Sequence, residues 1–190
     1  MKKIITDVDG VLLDWNTKFN EWMEDEGFAI QSPDNYAVNL RYDINREQAE
    51  GLIKDFNEST WISHLSYLRD AKEGVQKLVD NGYKIDICTA VGTNEYTQET
   101  RNRHLRYSFG KKTFDKMHYV TGNGPKDHIL EQYDGTGLYW LEDKPENAVT
   151  GLKFGLKPIL ISHPWNTWFH HPDVEIADNW EKVCEIILNE

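Results

Sequence analysis

From Ala71 onward the chain alternates short apolar, β-branched runs with segments of helical period, and this alternation narrows the possible folds more than any other feature. The strand-like runs are 83–89, 117–121, 138–141 and 158–161, preceded by an earlier one that starts at Lys3 and stops at Asp7-Val8-Asp9-Gly10. Between them lie an amphipathic stretch at 71–81 closed by Asn81-Gly82, a polar helical segment at 94–107, a short candidate at 127–132, and one opened by Pro145 and running to Leu152. A last helix at 180–188 places Val183, Ile186 and Ile187 on one face. Strands separated by helices imply a parallel sheet covered on both sides. The expected class is therefore α/β, with a Rossmann-like parallel sheet.

One segment breaks the alternation. Trp15, Phe19, Trp22 and Met23 recur at helical spacing before Gly27; a loop holding Ser32-Pro33-Asp34-Asn35 follows. Asn45 then caps a second helix whose face carries Ala49, Leu52, Ile53 and Phe56. Residues 15–70 are thus expected to form a small helical cap inserted after the first strand, with 1–14 and 71–190 forming the core. A chain of 190 residues with 39% hydrophobic content suits one core and one small insertion of this kind.

Polar side chains stand just after four strands: Asp7 and Asp9 after the first, Thr89 at the end of the second, Lys126 beyond the third, and Asp143 after the fourth. Each has an ordinary explanation as a turn, cap or solvated residue. Together they point elsewhere, because residues at the same end of neighbouring parallel strands converge on one crevice. A calcium loop is excluded, since Gly10 follows Asp9 directly instead of sitting at loop position six.

Charge and cysteine content restrict the partners. Against 21 Lys and Arg stand 32 Asp and Glu, a net charge of -11 that disfavours long nucleic acids and anionic membranes and suits a small, metal-neutralised substrate. Cys88 and Cys184 make no disulfide framework, so a reducing compartment is expected. No apolar run approaches the roughly 18 residues of a membrane span, and the apolar start after Met1-Lys2-Lys3 is cut short by Asp7, so a cytoplasmic location is expected.

With these residues placed, the sequence resembles the haloacid dehalogenase superfamily of phosphohydrolases. The resemblance rests on Asp7-Val8-Asp9-Gly10-Val11, Thr89, Lys126 and Glu142-Asp143 in that order, and covers residues 1–14 and about 71–165. It implies the strand order 5-4-1-2-3, a Mg²⁺ cofactor, and a metal site made of Asp7, Asp143 and the backbone carbonyl of Asp9. It implies further that Thr89, the amide of Ala90 and Lys126 hold the phosphate, that Asp7 attacks phosphorus, and that Asp9 protonates the leaving alcohol and later activates water. Glu142 stands where the family often has a second aspartate, so direct metal binding is assigned to Asp143.

A closer resemblance is to the 5'(3')-deoxyribonucleotidase group, through the insertion after the first motif, the run Asp9 to Asp14 followed by Trp15, and Pro164-Trp165-Asn166. It implies a nucleoside monophosphate substrate with Trp15 lining the base site. The alternatives are a polynucleotide 3'-phosphatase or a sugar-phosphate phosphatase, or a non-catalytic protein that binds phosphate and Mg²⁺. Arg101, Arg103, Arg106, Lys111 and Lys112 would serve the polynucleotide reading, but such a cluster ordinarily forms a solvated helix face. His163, His170 and His171 lack a carboxylate or cysteine at ligand spacing and are expected at the surface.

Overall fold

The structure, a computed structural model, describes residues 2–121 and 124–189. Gly122 and Asn123, from the loop expected before Lys126, lie outside these residues, as does Met1. Six parallel strands form one sheet: β1 (Lys3–Thr6), β2 (Lys84–Ala90), β3 (Phe114–Val120), β4 (Tyr139–Glu142), β5 (Lys157–Ile161) and β6 (Glu175–Ala177), in the order β3-β2-β1-β4-β5-β6. This is the expected five-strand order with β6 added beyond β5. The sixth strand has three residues, two of them exposed, too few for alternation to announce it.

Successive residues of a strand point to opposite faces, and the core divides accordingly. Ile4 of β1 joins Ile85, Ile87, Leu141, Ile159 and Ile161 in a cluster with Val75 and Leu78 of α4 (Ala71–Asp80), Leu105 and Phe109 of α5 (Glu95–Phe109), and Trp180, Val183 and Ile187 of α8 (Trp180–Leu188). Its neighbour Ile5 joins Cys88, Val120 and Trp140 on the other face, against Ile129 and Leu130 of α6 (Asp127–Leu130) and Tyr133 of the following 3-10 turn. A smaller cluster of Ala148, Leu160 and Val174 seats α7 (Pro145–Lys153).

Between β1 and β2 the chain forms α1 (Trp15–Asp25), α2 (Val38–Arg41), α3 (Arg46–Glu58) and a 3-10 turn over Thr60–His64. Asp14 caps α1 by accepting from the Thr17 amide at 3.1 Å, and Asn45 caps α3 through the Gln48 amide at 2.8 Å. The short α2 carries no sequence signal. Apolar faces of α1 and α3 meet in an aromatic cluster of Trp15, Phe19, Trp22 and Phe56, continuous with the first core cluster. The inserted helices therefore rest on the same apolar body as one face of the sheet. Strand order reverses at β1, whose neighbours β2 and β4 are reached by connections running in opposite directions, so the loop after β1 opens into the crevice where such sheets bind ligands.

Candidate active site

The chain after Thr6 turns tightly. The Asp7 amide extends the ladder to Leu141 O at 2.9 Å, and the Val8 carbonyl then accepts from Leu12 and Leu13. This turn passes so close to the strand β4 loop that a Cβ on Gly10 would lie 2.4 Å from Asp143 Oδ2, and Gly10 has φ +73°, so glycine is required there on both counts. Two buried side chains from the far half of the sequence hold the turn: His163 Nε2 donates to the Gly10 carbonyl at 2.7 Å, and the Trp180 indole donates to the Val11 carbonyl at 2.8 Å.

Four charged groups meet behind it. Lys126 Nζ lies 2.7 Å from Asp7 Oδ2 and 2.8 Å from Glu142 Oε1, all three being buried. Asp7 Oδ1 also accepts from the Val8 amide at 2.7 Å. Glu142 is fully used: Oε1 accepts from Lys126 and from Asn147 Nδ2 at 2.6 Å, and Oε2 from the amides of Asp143 at 2.6 Å and Lys144 at 3.0 Å. With two donors on each oxygen it positions its neighbours and has no lone pair left for a metal. Asn166 fixes the next residue, its amide donating to the carbonyls of Asp143 and Ile161 at 2.8 Å each.

Burial pushes the Asp7 carboxyl up to about 7; Glu142 and Asp9 add to the shift and Lys126 opposes it. Asp143 is raised well above the carboxylate range by burial and by the charges of Glu142 and Asp7. Burial works against the Glu142 charge too, but Lys126 and the amide donors hold its carboxyl below the usual value. Burial likewise opposes the Lys126 ammonium, and Asp7 with Glu142 outweighs it, holding that group above its ordinary value. One buried cation thus faces three buried carboxylates, and ligand oxygens of Asp7, Glu142 and Asp143 lie within 4.8 Å of one another. An oxygen-rich, electron-rich cluster with one cation too few fits a hard divalent ion, for which Asp7 and Asp143 retain free coordinating capacity.

Thr89, the penultimate residue of β2, is fully buried and its hydroxyl meets no hydrogen-bond partner among the described residues. An orphaned hydroxyl of this kind is costly unless a ligand completes it. Asp7, Asp9, Ala90 and Asp143 line a cavity of about 710 Å³. Its outer wall comes from the insertion, with Trp15, Asn16, Tyr36 and Val38 and, on α3, Ile53 and Asn57. Trp15 stacks on Phe19 at 4.4 Å between centroids and donates its indole N–H to Asn57 Oδ1 at 2.9 Å.

Two expectations fail here. His163 is not at the surface: it is buried, stacked on Trp165 at 4.2 Å, and held neutral by burial, with its pKa lowered to about 4, while it donates to Gly10. His170 is exposed as expected. Arg101 does not belong to a solvated helix face either. It is fully buried and grips Asp9 with both terminal guanidinium nitrogens, Nη1 donating to Oδ1 at 2.6 Å and Nη2 to Oδ2 at 3.0 Å, whereas Arg103, Arg106, Lys111 and Lys112 are exposed. The signal was present in the spacing: Thr97, Arg101, Leu105 and Phe109 fall four residues apart and form the buried face of α5.

No family model matches the chain, and no curated protein matches it by sequence. Solved structures match over nearly its full length. A protein described as a predicted phosphatase from Clostridium acetobutylicum superposes with a TM-score of 0.71 at 13% identity, covering 100% of this chain and 99% of the other. A haloacid dehalogenase-like hydrolase from Streptococcus pneumoniae gives 0.68 at 14% identity, covering 98% of each. A D,D-heptose 1,7-bisphosphate phosphatase from B. bronchiseptica, complexed with magnesium and phosphate, gives 0.64 at 13% identity, covering 100% and 99%. A dehalogenase and an L-2-haloacid dehalogenase also occur among the matches. The α/β fold of this chain is the one that these phosphatases and dehalogenases share.

Proposed function

We propose that the protein is a Mg²⁺-dependent phosphatase acting on a small phosphate monoester, a nucleoside monophosphate above all, through an aspartyl-phosphate on Asp7. The observations that support this reading are the buried Lys126 ammonium 2.7 Å from the Asp7 carboxylate and the buried Thr89 hydroxyl, at the end of the neighbouring strand, that meets no partner among the described residues. Mg²⁺ held by Asp7, Asp143 and the Asp9 carbonyl would offset the charge of the ester, which carboxylates could not otherwise approach.

Lys126, Thr89 and the Ala90 amide bind the phosphate oxygens and orient phosphorus toward Asp7. The Asp7 oxygen forms the new P–O bond as the ester oxygen leaves, and Asp9 delivers a proton to that oxygen. Asp9, now a carboxylate, takes a proton from the water that cleaves the acyl phosphate, so the enzyme is restored. A carboxyl at position 9 supports phosphatase over dehalogenase chemistry, since halide leaves without protonation.

The cavity favours small substrates: it lies beneath the inserted helices, and Arg101 of the basic cluster faces inward instead of offering its charge to a polymer. Trp15 and Ile53 suit a base, and Asn16 and Asn57 suit a sugar. The deciding experiment is a phosphate-release screen over nucleoside monophosphates, sugar phosphates and 3'-phosphorylated oligonucleotides, with Mg²⁺ or excess chelator. Release should require Mg²⁺ and vanish in Asp7→Asn; turnover retained by that variant would sink the mechanism, and preference for the oligonucleotide would sink the substrate class.

A further inference from the structure

Arg101 has no part in the chemistry just set out, yet it is a fully buried charge paired with a residue of the cavity wall. Its side chain is fully buried and both terminal amines are spent on Asp9. Removing a guanidinium from water is expensive even when it is paired, so a buried arginine is poorly explained by stability alone. The bidentate fork fixes the plane of the carboxylate as well as its distance. Asp9 needs this more than its neighbours do, because it keeps 24% of its side-chain surface exposed and lines the cavity, while Asp7 is held by Lys126 and the Val8 amide.

The helix that carries Arg101 is itself tied to the inserted segment. One turn further along α5, His104 Nδ1 bonds the Ser63 carbonyl at 2.6 Å, within the 3-10 turn Thr60–His64. Beyond it the Tyr67 hydroxyl donates to the Ser108 carbonyl at 2.8 Å. Asp9 is therefore connected through one rigid helix to the segment that leads out of the insertion.

We propose that Arg101 is a positioning residue for the leaving-group side of the reaction: it holds the Asp9 carboxyl at the cavity wall in the orientation that meets the departing ester oxygen, and α5 ties that orientation to the seating of the insertion. The proposal rests on the phosphatase reading. A latch that holds Asp9 away from the substrate would give the opposite sign, with faster turnover once Arg101 is removed. A purely structural arginine would affect all substrates alike.

The test compares an alkyl ester, a deoxynucleoside monophosphate, with p-nitrophenyl phosphate, whose leaving group needs little protonation. Arg101→Met should lower kcat on the alkyl ester by about 100-fold, within the range of a lost general acid, and on the aryl ester by about three-fold or less, with KM little changed. Arg101→Lys, which keeps the charge but loses the fork, should recover part of the alkyl-ester rate, and it carries the same comparison if Arg101→Met fails to fold. In an Asp9→Asn background, Arg101→Met should cost almost nothing further on the alkyl ester, because both changes remove the same function. Equal losses on the two esters, multiplicative losses in the double variant, or faster turnover would each overturn the proposal. A wild-type protein inert to both esters would overturn the phosphatase reading instead, and the two failures are thereby distinguished.

Discussion

Gly10 shows how tightly single residues are held at this site. A methyl group there would meet the Asp143 carboxylate at 2.4 Å on Oδ2 and 2.7 Å on Cγ, in a backbone conformation with φ +73°. Gly10→Ala should therefore cost about 1 to 2 kcal/mol from the backbone alone, and should displace Asp143 from Asp7 as well. The expected result is a lowered melting temperature with a higher Mg²⁺ requirement for phosphate release; an unchanged Mg²⁺ requirement would show that Asp143 is not a ligand. Trp15 allows a second test at this scale. One face of its ring is occupied by Phe19, so a base could stack only on the face toward the cavity. Trp15→Ala should remove roughly 1 to 3 kcal/mol of nucleotide binding, ten-fold or more in affinity. Because Trp15 also packs on Phe56, p-nitrophenyl phosphate serves as the control, and parallel losses on both substrates would make Trp15 a packing residue.

At the scale of elements, strands β1 to β3 are joined by a polar network centred on the buried Asp86. Asp86 accepts from Lys3 Nζ at 2.8 and 3.0 Å, from the Tyr133 hydroxyl at 2.8 Å and from the Lys116 amide at 3.1 Å, the last where β3 carries an extra residue between Phe114 and Met117. Since the Tyr133 hydroxyl donates to Asp86, it must accept from His118 Nε2, which fixes that imidazole's tautomer. Asp86→Ala strands these donors and should cost about 3 kcal/mol in a urea titration while leaving kcat unchanged in the folded protein. A loss below the error of the titration would mean that the network is replaceable by water. Nothing in a sequence reading selects Asp86, because a single acid inside an apolar strand gives no hint of its partners. The strands that carry Asp7, Thr89 and Asp143 were legible, since β-branched runs ending in polar residues state both the element and its direction. The short α2 and β6 were not: four and three residues are too few for a period to emerge. Arg101 and His163 were misread for a related reason. A charged residue at a helix position defaults to solvent until its i+4 companions are weighed, and His163 finds its partner, Gly10, 153 positions away.

For the whole molecule, stability, pH and Mg²⁺ should be linked through the carboxylate cluster. In the metal-free protein Asp7 keeps its proton up to about pH 7, against an ordinary value of 3.8, and Asp143 is raised as well. Between these limits the native state binds more protons than the unfolded chain, so the contribution of these groups to stability falls as pH rises from about 4 to about 7. Glu142, depressed in the native state, acts in the opposite sense, contributing above its unfolded value of 4.5 and losing that contribution as pH falls, whereas Lys126, raised like Asp7, contributes fully below its unfolded value of 10.5 and loses that contribution only as pH rises beyond it. Among the described residues no helix is long and apolar enough to cross a membrane. Mg²⁺ held as proposed by Asp7 and Asp143 would compete with the protons on these groups, and its affinity should grow as they leave. Free metal at about 100 times its dissociation constant contributes about 2.7 kcal/mol, or roughly 5 to 10 °C for a chain of this length. Calorimetric scans with Mg²⁺ and with excess chelator should therefore show a metal-induced rise in Tm near pH 8 that shrinks toward zero near pH 5. Asp143→Asn, which removes one of the two competing groups, should abolish most of the rise at pH 8 and raise the Tm of the metal-free protein there. An equal metal effect at both pH values, or one that survives in Asp143→Asn, would place the ion elsewhere.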